Sequence, residues 1–126
     1  TEAGFPNLFF LLGPNTGLGH SSVMLMVEAQ VEHVLGVLAH MERRGAACVE
    51  PSAEAQRRYV AWLDESLRPT VWNSGGCKSW YLDRNGRNSS LWPFGIGRFK
   101  RLVTQVRPDD YVFSPARAGA VESPVA

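Results

Sequence analysis

Leu8-Phe9-Phe10-Leu11-Leu12 is an unbroken apolar run set between Pro6-Asn7 and Gly13-Pro14. A run this short and without alternation predicts a strand covered on both faces, as in the parallel sheet of an α/β domain. A glycine-rich turn, Gly13-Pro14-Asn15-Thr16-Gly17-Leu18-Gly19, follows it. From about Ser21 to Arg44 the apolar spacing becomes three and four. Met24, Val27, Val31, Val34, Leu35, Leu38 and Met41 form one stripe, which predicts a long amphipathic helix. Gly45 stops it, behind two cations at the negative end of the helix dipole. Ala46-Ala47-Cys48-Val49 reads as a short strand or extended link.

A second helix is expected from about Ser52 to Leu67, with Tyr59, Trp62, Leu63 and Leu67 on one face and Pro51 and Arg68-Pro69 bracketing it. Residues 71–93 change character, being rich in Gly, Asn, Ser and Trp. Two candidate strands, Ser79–Leu82 and Ser89–Trp92, flank Asp83-Arg84-Asn85-Gly86-Arg87-Asn88, whose Asn-Gly pair is a hairpin signal. Phe94 to Val106 predicts a third helix, basic and amphipathic, weakened by Gly95 and Gly97. From Ser114 the chain is rich in Ala, Pro and Gly, and a disordered tail is expected.

A strand buried on both faces must have its N–H and C=O groups paired by neighbours, and this pattern offers almost no other strands. Residues 8–12 therefore read as part of a sheet whose remaining strands lie elsewhere, and the chain as incomplete. Its start, Thr1-Glu2-Ala3-Gly4-Phe5-Pro6, has neither an initiating Met nor a basic leader, and reads as a cut within something longer. The 126 residues amount to one domain, with an ordinary 44% hydrophobic and 20% charged composition that excludes a disordered or collagen-like chain. No purely apolar stretch reaches the ~20 residues of a membrane span. Cys48 and Cys77 form no disulfide framework and no C-x-x-C, so a reducing, cytoplasmic setting is expected.

The net charge of +1 hides an uneven spread. Residues 1–56 carry two arginines against six acids, whereas residues 57–101 carry nine bases against three. A basic, aromatic middle suits either an anionic ligand or a negative protein surface.

The strand–turn–helix unit at 8–27 is the most informative feature. Glycines let a backbone approach a ligand, and the free N–H groups of a helix start attract anionic or carbonyl oxygen. The spacing is nevertheless not that of the familiar phosphate motifs. Ser22 stands where G-x-G-x-x-G needs its third glycine, and no lysine follows as in a P-loop. On spacing alone a plain structural turn ahead of a core helix is the better reading.

Gly4-Phe5-Pro6-Asn7-Leu8-Phe9, followed by Gly13-Pro14-Asn15-Thr16-Gly17-Leu18-Gly19-His20, resembles the C-terminal part of flavin-dependent Baeyer–Villiger monooxygenases and their flavin-containing monooxygenase relatives. Val71-Trp72-Asn73-Ser74-Gly75-Gly76-Cys77-Lys78-Ser79-Trp80-Tyr81, then Asn85-Gly86-Arg87-Asn88 and Leu91-Trp92-Pro93, is similar to the end of the same enzymes. The matches keep their order over roughly residues 4–113. The resemblance implies an α/β fold, the C-terminal fragment of a Rossmann-like flavoprotein with two dinucleotide-binding domains. Residues 1–68 would close the FAD-binding domain, 69–113 would be a control loop and C-terminal extension, and 114–126 a tail. It implies FAD and NADPH as cofactors, with Gly13, Pro14, Asn15, Thr16, Gly17 and Leu18 near the flavin ring and Trp72 over NADP. Asn73-Ser74-Gly75 departs from the commonest form beside that tryptophan. The implied reaction inserts one oxygen atom of O₂ into a ketone, giving an ester or lactone, or oxygenates nitrogen or sulfur in an alternative branch. The dinucleotide fingerprints are absent from this chain, so no activity is expected of it alone.

Other constellations compete less well. His20, His33 and His40 lack any H-E-x-x-H or carboxylate at ligand spacing, so no metal is expected, and His33 and His40 read as helix-surface residues. Ser21 and Ser22 beside His20 do not form a G-x-S-x-G elbow. Cys48 reads as a buried small hydrophobe and Cys77, beside Lys78, as a quiet loop thiol. Trp80, Tyr81, Trp92 and Phe94 among Arg84, Arg87, Arg98, Lys100 and Arg101 form the basis of a second hypothesis, a non-catalytic module for nucleic acid or protein. A packed loop beside a solvated cationic helix explains them better, and no nucleic acid is expected. An exposed apolar strand and stripe would make the isolated chain self-associate.

Overall fold

The computed structural model describes residues 1–17, 22–74 and 80–115. Helix α1 spans Val23–Arg44 and ends in a Schellman turn. Gly45 adopts a left-handed φ of 59°, its N–H donates to the Glu42 carbonyl and that of Ala46 to Met41. Strand β1, Cys48–Pro51, leads into α2, Ala53–Leu67, where the Ser52 hydroxyl caps the helix by accepting from Ala55 N–H at 3.1 Å. A single short turn, α3, covers Val71–Ser74, and α4 covers Ile96–Thr104. A 3₁₀ turn at Pro108–Asp110 delivers β2, Tyr111–Ser114, antiparallel to β1 with Cys48 opposite Ser114 and Pro51 opposite Tyr111.

The core lies where α1 crosses α4. Met26 and Ala29 of α1, Leu63 of α2, Trp92 and Phe99 are all buried there. Trp92 is its centre, meeting Phe99 and Phe94 edge-on at 5.2 and 5.4 Å, with Trp62 at 5.9 Å. Arg98 lies over the Phe94 ring at 3.7 Å, a cation–π contact that holds the outer edge of the cluster.

The two long helices and the basic helix stand where the apolar spacing puts them, but several expectations are corrected. Residues 8–12 form no strand; Leu8, Phe10, Leu11 and Leu12 are exposed, and the segment turns through left-handed Asn7 and Leu12. The reason is pairing: β1 and β2 use each other, and no other regular strand occurs among the described residues. The α1 stripe is also turned outward. Met26, Ala29 and Val37 are buried, whereas Met24, Val31, Leu35 and Leu38 lie exposed, because α4 covers the smaller of two apolar faces. The expected hairpin is reduced to one antiparallel bridge, Leu82 to Asn88, around Asn85-Gly86, and Leu91 pairs elsewhere. β2 and α3 had no counterpart in the sequence pattern, and Ser114, placed in the tail, is a paired strand residue. Pro115 is exposed, and residues 116–126 of that tail lie outside the described residues.

By length and composition alone α1 would pass as a membrane-crossing helix. Several of its polar side chains are tied to this chain. Gln30 accepts from Leu12 N–H at 3.0 Å, His33 bonds Val103 and Tyr111, and Glu32 meets Lys100 at 3.5 Å.

Candidate functional site

The turn after residue 12 is pinned to a segment more than seventy residues away in sequence. Asn15, only 3% exposed, forms its corner with a left-handed φ of 57°, a conformation that asparagine tolerates better than most side chains. Its N–H donates to the Ser89 carbonyl at 2.8 Å, and its Nδ2 donates to the carbonyls of Asn88 and Leu91 at 2.9 and 3.1 Å. Thr16 Oγ1 closes the turn by donating to the Gly13 carbonyl. Gly17 then enters a parallel rung with Leu91: its N–H donates to Ser90 O at 2.8 Å, and its carbonyl accepts from Trp92 N–H at 2.9 Å. A Cβ on Gly17 would sit 2.7 Å from the Ser90 oxygen, so the backbones approach this closely only because residue 17 is glycine.

Asn88, 2% exposed, holds the other side of this seam. Its Oδ1 accepts from the N–H groups of Ser90 and Leu91 at 3.2 and 3.1 Å. Two backbone donors fix which end of the amide is oxygen, so Nδ2 faces outward and donates to Asn73 Oδ1 at 3.2 Å. Asn73 belongs to α3, next to Trp72. Beside the seam, Arg87 Nε reaches both carboxylate oxygens of Asp64 on α2, at 3.0 and 3.2 Å.

The structure thus brings Gly13, Pro14, Asn15, Thr16 and Gly17 into one rigid turn and links it through Asn88 to the helix that carries Trp72. Leu18 lies outside the described residues. The N–H groups of Asn15 and Gly17 are engaged within the chain. In the first turn of α1, Ser22 supplies no side-chain cap and no acid intervenes. Such a helix start favours carbonyl or anionic oxygen. Trp72 is 36% exposed and its ring is held edge-on against Tyr81 at 5.5 Å, whereas Trp80 is 95% exposed with its faces open. Spacing gave no reason to single out Asn73 or Asn88, and Trp80 stood out only as one aromatic residue of the basic middle. The Asn-Gly turn signal absorbed Asn88, and burial of its amide depends on a segment far away in sequence.

Of the basic, aromatic middle, Trp92 is buried, Arg87 is paired with Asp64 and Arg98 covers Phe94, so these three side chains are engaged within the chain. No cluster of metal-ligating side chains occurs among the described residues, while His20 and Cys77 lie outside them. His33, expected on the surface, bridges α1 to Val103 O and the Tyr111 hydroxyl, both at 2.6 Å. A carbonyl only accepts, so Nδ1 carries the hydrogen and Nε2 accepts from Tyr111. Burial holds this imidazole below its usual pKa. Cys48 is half-buried rather than fully buried.

No protein-family model matches the chain. Curated relatives are nevertheless clear. The chain is 50% identical over 112 residues to a Baeyer–Villiger monooxygenase of Pseudomonas aeruginosa, covering 88% of this chain and 21% of the relative. It is 40% identical over 124 residues to a Baeyer–Villiger monooxygenase of Streptomyces coelicolor, covering 95% and 24%. An FAD-binding monooxygenase of Aspergillus niger is 32% identical over 125 residues, covering 96% and 21%. Among solved structures, an oxidized steroid monooxygenase bound to NADP superposes with a TM-score of 0.72 at 27% identity, covering 89% of this chain and 21% of that one. Cyclohexanone monooxygenase from Rhodococcus sp. Phi1 bound to NADP⁺ gives 0.73 at 26% identity, covering 92% and 22%. The mixed helix-and-strand fold is therefore that of a flavin monooxygenase segment. The chain belongs to the Baeyer–Villiger monooxygenase family, and it spans about a fifth to a quarter of the length of the relatives it matches.

Proposed function

We propose that this chain is the C-terminal part of an FAD- and NADPH-dependent monooxygenase that inserts one oxygen atom from O₂ into a ketone. The observation that carries this is the turn at 13–17, locked to residues 88–92 at the head of a long helix whose first turn has no side-chain cap. Names of relatives that bind FAD and of neighbours holding NADP support it. Residues 1–68 would close the FAD-binding, Rossmann-like domain, and 69–113 would form the control loop and extension. Leu8–Leu12 would gain strand neighbours from the rest of the longer polypeptide, which accounts for an apolar run this chain leaves exposed.

The flavin, when bound, supplies the redox chemistry and activation of O₂. The chain's share is electrostatic and steric. The first-turn N–H groups of α1 would donate toward a ring carbonyl and stabilise added electron density there, with Gly13–Gly17 and Leu18 setting the distance. The seam would hold the turn ahead of that helix in place, because Asn15 and Gly17 cannot shift without breaking bonds to Ser89, Ser90 and Leu91. A tryptophan of the later loop would cover the nicotinamide cofactor. Trp72 is one candidate, but its ring is already held by Tyr81, so Trp80 has more surface to offer.

A chimera in which this chain replaces the matching segment of the Pseudomonas aeruginosa relative tests the reading. The expected product is yellow, retains FAD through gel filtration and consumes NADPH in step with a ketone such as cyclohexanone. Loss of flavin from a folded chimera would overturn it. Turnover of a sulfide or amine with no ketone turnover would assign the heteroatom-oxygenating branch. In the same chimera Trp80→Ala should raise the KM for NADPH more than Trp72→Ala; the reverse order would return the role to Trp72.

A further inference from the structure

We propose that Asn88 is a positioning residue that couples the α3 segment bearing Trp72 to the turn at Gly13–Gly17, so that movement of the one is felt at the other. The inference rests on the cofactor reading above and adds to it a route between the two cofactor-facing regions. Asn88 engages both sides at once. Its backbone carbonyl accepts from Asn15 Nδ2 at 2.9 Å, and its side-chain Nδ2 donates to Asn73 Oδ1 at 3.2 Å. Its own Oδ1 is fixed by the N–H groups of Ser90 and Leu91, and the Ser90 carbonyl in turn receives Gly17 N–H. The amide is 2% exposed, so water cannot substitute for a lost partner without opening the seam. Among the described residues no buried side-chain nitrogen or oxygen is left unpaired. Displacing Asn73 would remove that balance and leave Asn88 Nδ2 to find another acceptor within the seam. The link consists of one contact to a half-buried residue on a helix of one turn, whereas the bonds on the flavin side are several and short. That asymmetry makes the Asn73 contact the one that gives way first.

Asn73 is the place to test this, since it is half-buried and its replacement leaves the seam itself intact. Asn73→Leu removes the acceptor. Asn73→Asp keeps it. The double variant Asn73→Asp/Asn88→Asp sets two carboxylates against each other and breaks the link again. In the ¹⁵N-labelled chain, Asn73→Leu and the double variant should speed hydrogen exchange at the Asn15 and Gly17 amides by about five- to tenfold, with Asn73→Asp matching the parent. In the FAD-retaining chimera, Asn73→Leu should raise the KM for NADPH and the fraction of NADPH consumed without product by a similar factor. FAD retention should not change, and Asn73→Asp should restore both values. Unchanged exchange at Asn15 and Gly17 in Asn73→Leu would overturn the coupling. So would parental NADPH kinetics in a chimera that keeps its flavin, and the functional reading would then still stand. A folded parent chimera without flavin would overturn that reading and the coupling stated upon it.

Discussion

The seam between residues 13–17 and 88–92 is closed by the chain's own groups, whereas the outer face of α1 together with Leu8–Leu12 is left open. In the seam, Asn15 and Asn88 make buried amide bonds, Gly17 allows backbone contact, and Trp92 fills the space behind them. On the outer face Met24, Val31, Leu35 and Leu38 are exposed, Leu35 to 60%. The difference separates what local sequence can complete from what it needs a longer polypeptide to complete. It also explains why a helix of one length carries two apolar faces, only one of which is used here.

The contrast is broken most severely at Trp92. Trp92→Ala should cost about 4 kcal/mol and leave the chain largely unfolded in urea titration, because three aromatic neighbours lose their contact. Asn88→Leu should cost about 3 kcal/mol, since the Ser90 and Leu91 N–H groups lose a buried acceptor, and the urea midpoint reads this directly. Gly17→Ala should cost about 2 kcal/mol by forcing the two backbones apart.

His33 sharpens the comparison through pH. Its folded pKa is lowered by burial, so the folded state binds fewer protons than the unfolded one just below pH ~6.5. Its contribution is therefore present above that value and lost as pH falls through the lower, folded pKa. The urea midpoint should drop between pH 7.5 and 5, and His33→Gln should remove part of that drop. The smallest effect on stability is expected on the open face. Leu35→Gln with Leu38→Gln should change unfolding by less than about 0.5 kcal/mol. Sedimentation should nevertheless show less self-association than in the parent, and an unchanged distribution would mean that this face does not mediate it.

Much of this architecture was legible from spacing. The stop at Gly45, the Ser52 start of α2 and the basic helix α4 follow from local chemistry, so period and capping residues suffice to find them. The facing of α1 did not, because two apolar faces on one helix differ only in what covers them. The strand reading of Leu8–Leu12 failed for the same reason: a run suited to burial becomes a strand only where neighbours exist. At the candidate site, the turn at Gly13–Gly17 was legible through its glycines and its resemblance. The part of Asn88 was hidden, since an asparagine in an Asn-rich turn looks alike whether it faces water or bonds a segment more than seventy residues away. The resemblance pointed to Trp72, and only ring packing and exposure brought Trp80 forward beside it.

The most direct measurement is amide hydrogen exchange, compared between this chain alone and the same residues within the flavin-retaining chimera. The account predicts slow exchange at Asn15, Gly17 and Trp92 in both, with Leu8–Leu12 fast in the isolated chain and slow in the longer one. Protection of Leu8–Leu12 already present in isolation, or absent in both, would contradict it.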